Sequence, residues 1–261
     1  MSHHNLGRAA LAAGWVLIAG CSVQIDRPIV PAPPVAVSTT IEAKPYVGSA
    51  SGALVAAANP LAVDAGIEVL AAGGSAVDAA IAVQAVLGLV EPQSSGLGGG
   101  AFLVHYDAAT GDVVTYDGRE IAPSGARPDM FLDANGRPLD YTTAIRSGRS
   151  VGVPGAVAML EMAHREHGRL PWRQPWQRAA TIASEGFEVS PRLHQIIGAA
   201  LERGPLPSSA SRYLTVDGVK PLPIGARLVN RAYAKTVRAI ADEGAKTFYT
   251  GEIAKEIVAA V

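Results

Sequence analysis

The amino-acid sequence predicts an α+β fold, and three observations carry that reading. Helical periodicity closed by glycine recurs through most of the chain after residue 59. One pair of apolar runs, in "AFLVHYDAATGDVVTYDGRE", brackets a short polar turn and has the form of a hairpin. Aromatic residues make up only 5% of the chain while alanine is frequent, a balance that suits closely packed helices better than an all-β sandwich.

Taken in order, residues 1–20 place Arg8 ahead of the apolar run "AALAAGWVLIAG". The run is too short to span a bilayer stably and suits the apolar core of a secretory signal. It closes on "LIAGC", which resembles the lipobox of bacterial lipoproteins, with Cys21 as the lipidated first residue of the mature chain. The alternative is an ordinary cleaved signal with a chance cysteine. Cys21 is the single cysteine, so no intrachain disulfide can form. The expectation is export to the periplasm or cell envelope, with a membrane anchor through Cys21. Residues 21–49, including "DRPIVPAPPVAVSTTIEAKP", read as a Pro-rich linker. Residues 50–261 form the folded domain.

Within that domain "ALVAAA" reads as a buried strand ended by Asn59-Pro60. Asn59 is then a natural N-cap, with Pro60 in the first turn, where its missing N–H is harmless. Leu61, Ala65, Val69 and Ala72 keep one helical face apolar until Gly73-Gly74. Ser75 with Asp78 has the form of a capping box opening a second helix through Leu89, apolar nearly all round and so buried on most sides. A turn at residues 108–112 joins the two strands of the hairpin. Four further segments, "VPGAVAMLEMAHREHG", "PWQRAATIASEG", "SPRLHQIIGAALERG" and "VNRAYAKTVRAIADEG", are helical with a glycine stop. "TGEIAKEIVAAV" is an amphipathic helix without a stop signal, which predicts that the chain is a piece of a longer protein.

The charge balance excludes one class of function. A formal net charge of -1 and no Lys/Arg cluster leave no electrostatic footprint for nucleic acid. Residues 96–101, "GLGGGA", match the dinucleotide fingerprint in letters, but a helix precedes them and a strand follows, the reverse of what phosphate binding needs. His164 and His167 share a helix face without the spacing of a zinc motif and read as a solvated helix end; His105 points off a strand. No metal or cofactor is expected. There is no G-x-S-x-G elbow, and no lysine completes S-x-x-K. One charged constellation remains: Asp117, Arg119 and Glu120 at the end of the second strand, beside an irregular loop. A guanidinium there can receive a carboxylate through its planar fork, or can simply pair with Asp117 or Glu120.

"NPLAVDAGIEVLAAGGSAVDAAIAVQAVLGLVEPQSSGLGGGAFLVHYD", "YDGREIAPSGARPDMF" and "SGRSVGVPGAVAML" resemble the large subunit of γ-glutamyltransferases, over roughly residues 50–261. The resemblance implies an incomplete four-layer αββα N-terminal-nucleophile hydrolase fold. It implies an enzyme whose precursor cleaves itself to expose a threonine, which takes the γ-glutamyl group of glutathione as an acyl-enzyme and passes it to water or an acceptor amino acid or peptide. Arg119 is then the ligand of the substrate α-carboxylate, with Glu120 supporting it, and Gly96–Gly100 a buried turn packing the strands. Nothing in the chain matches the threonine motif, so no catalytic residue is assigned here. The rest of the large subunit and the small subunit are the expected partners. On its own the chain is expected to be inactive and to expose apolar surface from helices such as residues 75–89. Two other readings stay open: another amidase or acylase of the same fold, and a non-catalytic lipoprotein that keeps part of it.

Overall fold

The computed structural model describes residues 52–261; the signal segment, the linker and Cys21 lie outside the described residues. The helical layer is built around α2 (Ala76–Val90), with α1 (Pro60–Ala71) folded against it. Asn59 Oδ1 accepts the Leu61 N–H at 3.1 Å, and Pro60 occupies the first turn. The capping box forms as the sequence predicts: Ser75 Oγ accepts the Asp78 N–H while Asp78 Oδ2 accepts the Ser75 N–H. Ile81, Ala82, Ala85 and Val86 of α2 are wholly buried. Removing such side chains from water is the main stabilising term of a layer of this kind.

The hairpin follows. β1 (Ala101–Tyr106) and β2 (Val113–Gly118) pair antiparallel, from Ala101↔Gly118 to Tyr106↔Val113. α3 (Tyr141–Arg146) lies in the long loop after it, and α4 (Ala156–His167) packs under the hairpin and against α2. A short 3-10 turn carries the buried Trp176 into α5 (Gln177–Glu185), which packs on α2. The remaining helices are α6 (Pro191–Glu202), α7 (Ser208–Leu214), α8 (Arg231–Glu243), α9 (Lys246–Thr250) and α10 (Glu252–Ala260). Two-residue strands pair antiparallel between them, β3 (Phe187–Glu188) with β6 (Arg227–Leu228) and β4 (Thr215–Val216) with β5 (Lys220–Pro221). The arrangement is α+β. Among the described residues no helix is long and apolar enough to cross a membrane.

Two expectations change, and three short helices are added to those expected. Residues 53–58 show the alternating exposure of a strand, but no partner strand pairs with them among the described residues, and a strand exists only by pairing. The helices α3, α7 and α9 are too short to display a 3.6-residue period and were invisible to pattern reading. Apolar exposure falls on the hairpin and not on residues 75–89: Phe102, Val104 and Tyr106, on one face of β1, are 60%, 68% and 62% exposed, whereas Leu89 and Val77 of α2 are buried.

Two buried carboxylates tie distant segments to this layer. Asp78, fully buried, takes the N–H groups of Arg169 and Leu170 at 2.9 and 3.2 Å, clamping the loop after α4 to the start of α2. Glu91, also buried, takes Asn59 Nδ2 at 3.1 Å and Arg192 Nε at 2.9 Å, joining the start of α1, the end of α2 and the start of α6. Charges this deep persist only where hydrogen bonds replace lost water.

Candidate functional site

The site starts where β2 ends. Asp117 Oδ1 accepts the Arg119 N–H at 2.9 Å, which turns the chain out of the strand. The next residues meet a second segment across an antiparallel bridge, Ile121 N–H to Val153 O at 3.3 Å and Val153 N–H to Ile121 O at 2.9 Å. That bridge brings the turn at residues 148–152 beside Arg119 and Glu120.

Glycines make the approach possible. A Cβ on Gly100 would lie 2.8 Å from Glu120 Cδ and 2.9 Å from Glu120 N, and one on Gly152 would lie 2.8 Å from Glu120 Cβ. These are distances no side chain tolerates, so Glu120 is seated between two Cβ-free surfaces. The Gly99 carbonyl accepts the N–H groups of Gly155 and Ala156 at 3.2 and 3.1 Å, which ties the glycine turn to the first turn of α4. Glu120 Oε2 stands 3.6 Å from Arg119 Nε. Arg119 itself is solvent-facing, its side chain 71% exposed.

Arg119 and Glu120 line a cleft of about 400 Å³, within the range of small-molecule sites. Met130, Phe131 and Arg149, the last on the 3-10 turn Gly148–Ser150, line the same space. Arg149 Nη1 donates to the Met130 carbonyl at 2.8 Å. The arrangement can hold an anionic ligand by two guanidiniums with Glu120 as the sole acid in the lining. It contains no nucleophile paired with a base.

The structure thus brings Arg119 and Glu120 together as neighbours. The pairing with Asp117 is through the Arg119 backbone alone, not the guanidinium. Sequence reasoning missed Arg149. Its only signal was a long cation among small residues in "SGRSVG", and its proximity to Arg119 depends on the bridge between Ile121 and Val153. The glycine turn departs from the buried turn expected: Leu97 is buried, but Gly98 and Gly100 are exposed, because the turn lies over the Glu120 edge of the cleft and not between packed strands.

The histidines also differ from expectation. His167 is no solvated helix end; its ring stacks on His105 at 3.8 Å and its Nε2 lies 2.7 Å from the Tyr116 hydroxyl. That hydroxyl donates to Glu166 at 2.6 Å, and burial followed by the Glu166 carboxylate raises the Tyr116 pKa to about 12. His164 Nε2 lies 2.9 Å from the Leu170 carbonyl and 3.3 Å from Asp78 Oδ1. These contacts bind α4 to the hairpin and to α2. Among the described residues no group of three or more His, Cys, Asp or Glu is placed to hold a metal ion.

Comparison with known proteins places this geometry in context. The sequence profile described as Gamma-glutamyltranspeptidase matches residues 62–261. A glutathione hydrolase proenzyme of Bacillus subtilis strain 168 is 38% identical over 204 residues, 78% of this chain and 34% of that protein. The crystal structure of Helicobacter pylori gamma-glutamyltranspeptidase superposes with a TM-score of 0.74 at 34% identity, covering 81% of this chain and 60% of that one. The transpeptidase CapD of Bacillus anthracis superposes with a TM-score of 0.68 at 33% identity, covering 81% and 66%. The chain spans about a third of the length of the Bacillus subtilis relative, 34%.

Proposed function

The chain belongs to the gamma-glutamyltranspeptidase family, and from that premise we propose that it supplies the α-carboxylate-recognising part of an enzyme that hydrolyses or transfers the γ-glutamyl group of glutathione and related amides. The observation that carries the proposal is Arg119: a guanidinium at a strand terminus, open to a cleft, beside a Glu120 wedged against Gly100 and Gly152. A planar fork in that position matches the two oxygens of a carboxylate, and Glu120 orients it without consuming all its donors.

The chemistry in this reading comes from polypeptide other than residues 1–261. A threonine released by self-cleavage attacks the γ-carbonyl, its own α-amine taking the hydroxyl proton. The amide C–N bond breaks, the departing amine receives that proton, and water or an acceptor amine then attacks the acyl-enzyme. Arg119 contributes by fixing where the γ-carbonyl sits relative to that threonine.

The test is Arg119→Lys in the mature, self-cleaved enzyme, which keeps the charge and loses the fork. Charge-assisted hydrogen bonds are worth about 1.5–3 kcal/mol, so kcat/KM for a γ-glutamyl anilide should fall about 10- to 100-fold. A lowered melting temperature with normal kinetics would make Arg119 a structural residue. The proposal extends to location: Cys21, after "LIAG", is lipidated and anchors the exported protein to the cell envelope. Radioactive palmitate should label the wild type and not Cys21→Ser; equal labelling of both rules the anchor out.

A further inference from the structure

We infer that Arg149 is a second carboxylate receptor in the Arg119 cleft, so that the enzyme favours γ-glutamyl substrates carrying an acidic group beyond the α-carboxylate. The inference rests on the reading of Arg119 just given, and it concerns substrate class, not the reaction.

Four observations carry it. First, Arg149 lines the same cleft as Arg119 but comes from a separate segment, held there by the bridge between Ile121 and Val153. Second, its guanidinium is positioned without being neutralised. The Met130 carbonyl takes one N–H at 2.8 Å, and no carboxylate lies within 4.0 Å among the described residues. Of about five N–H donors on a guanidinium, most remain available. Third, acids are present in the same loop and are used by other arginines. Asp129 faces Arg127 at 3.3 Å and Asp133 faces Arg137 at 3.2 Å, so the acids of this loop are engaged and neither reaches Arg149. Fourth, the neighbouring hydroxyl is no rival donor, because Ser150 Oγ donates to the carbonyls of Ile145 and Ser147 at 3.1 and 2.9 Å.

The charge count of the cleft points the same way. Its lining holds two guanidiniums and one carboxylate, Glu120, which already faces Arg119. A γ-glutamyl group carries an α-ammonium beside its α-carboxylate and so adds no net charge, which leaves the lining one positive charge in excess. A second carboxylate on the substrate cancels that excess. The volume, about 400 Å³, exceeds what one carboxylate fills, so a second acidic group can share the space lined by Arg119 and Arg149. Electrostatic complementarity of this kind acts mainly on which partner is chosen.

The experiment compares two substrates in the mature, self-cleaved enzyme: γ-glutamylglutamate, whose leaving residue is acidic, and γ-glutamyl-p-nitroanilide, whose leaving group is not. In Arg149→Gln the ratio of kcat/KM for the first over the second should fall about tenfold, the low end for losing a charge-assisted hydrogen bond. The change should appear in KM for γ-glutamylglutamate. Arg149→Lys, which keeps charge and aliphatic stem, should retain part of the preference, and it serves as the second variant should Arg149→Gln fold poorly. Arg119→Lys should depress both substrates together. An unchanged ratio in both Arg149 variants overturns the inference and leaves the role of Arg119 intact. A wild-type enzyme that cleaves neither substrate overturns the proposed function and this inference with it.

Discussion

Gly100→Ala tests how Arg119 is held. The added methyl would lie 2.8 Å from Glu120 Cδ and 2.9 Å from the Glu120 backbone nitrogen. Carbon contacts are comfortable only from about 3.5 Å, so relief needs a movement of roughly 0.6 Å or more. The carboxylate can rotate away, but the backbone nitrogen cannot, and it belongs to the residue bonded to Arg119. The strain of such overpacking is about 1–3 kcal/mol. A displacement approaching 1 Å in a group that positions substrate can cost about 100-fold in rate. The expectation is a fall of about 10- to 100-fold in kcat/KM for a γ-glutamyl anilide in the mature enzyme. Gly98→Ala is the internal control: two residues away in the same turn, its Cβ would meet no heavy atom within 4 Å. It should behave as wild type. Combining Gly100→Ala with Arg119→Lys should cost much less than the two effects added together, since both act through one guanidinium. Equal losses in the two glycine variants, or full additivity of the pair, would refute the idea that Gly100 serves the Arg119–Glu120 unit.

Two further outcomes are expected. Asp78→Ala should destabilise the fold by about 2–4 kcal/mol, from a lost capping box worth about 1 and N–H groups left without a partner worth about 1–3. Burial alone would raise the Asp78 pKa, but the N–H groups of Ser75, Arg169 and Leu170 and the Ser75 hydroxyl outweigh it and hold the carboxyl below its ordinary 3.8. A carboxyl depressed in the folded state stabilises fully above its unfolded pKa and loses that contribution as pH falls through the folded value. The melting-temperature gap between wild type and Asp78→Ala should therefore be constant near neutrality and close in acid below about pH 4; a gap that widens in acid contradicts the assignment. Val104→Lys, on the exposed face of β1, should reduce binding of a hydrophobic dye by the 261-residue chain without lowering its melting temperature. Unchanged dye binding would show that the hairpin face is not the apolar surface the dye detects.

Local signals were legible in the sequence and long-range ones were not. The Asn59 and Ser75 caps, the hairpin turn and the glycine-stopped helices each need only neighbours within a few residues, and each forms where the pattern places it. The resemblance pointed to Arg119 and Glu120, and the fold places both in the lining of one cleft. Asp78 shows the limit: its capping role was readable three residues away, but its bonds to Arg169 and Leu170 span 91 and 92 residues. Arg149 shows the same limit, since no spacing rule links it to Arg119 until a bridge at Ile121 closes the loop. The segment 53–58 failed for another reason: a short apolar run marks a segment that could be buried in a sheet, but the pairing that makes it a strand is supplied from elsewhere.

The amino end of α4 has a consequence for how this binding surface can evolve. A helix start is a natural anion receptor made of backbone, and one that no point mutation can readily rewrite. Here the Gly99 carbonyl occupies its first N–H groups. With Arg119 and Arg149 in the roles proposed above, recognition of negative charge is left to arginine side chains on flanking turns, where a single codon alters the sign, reach or number of the receptors. On that reading, which acids are accepted can change by substitution at one or two exposed positions, Arg119 and Arg149, where side chains bear little of the packing.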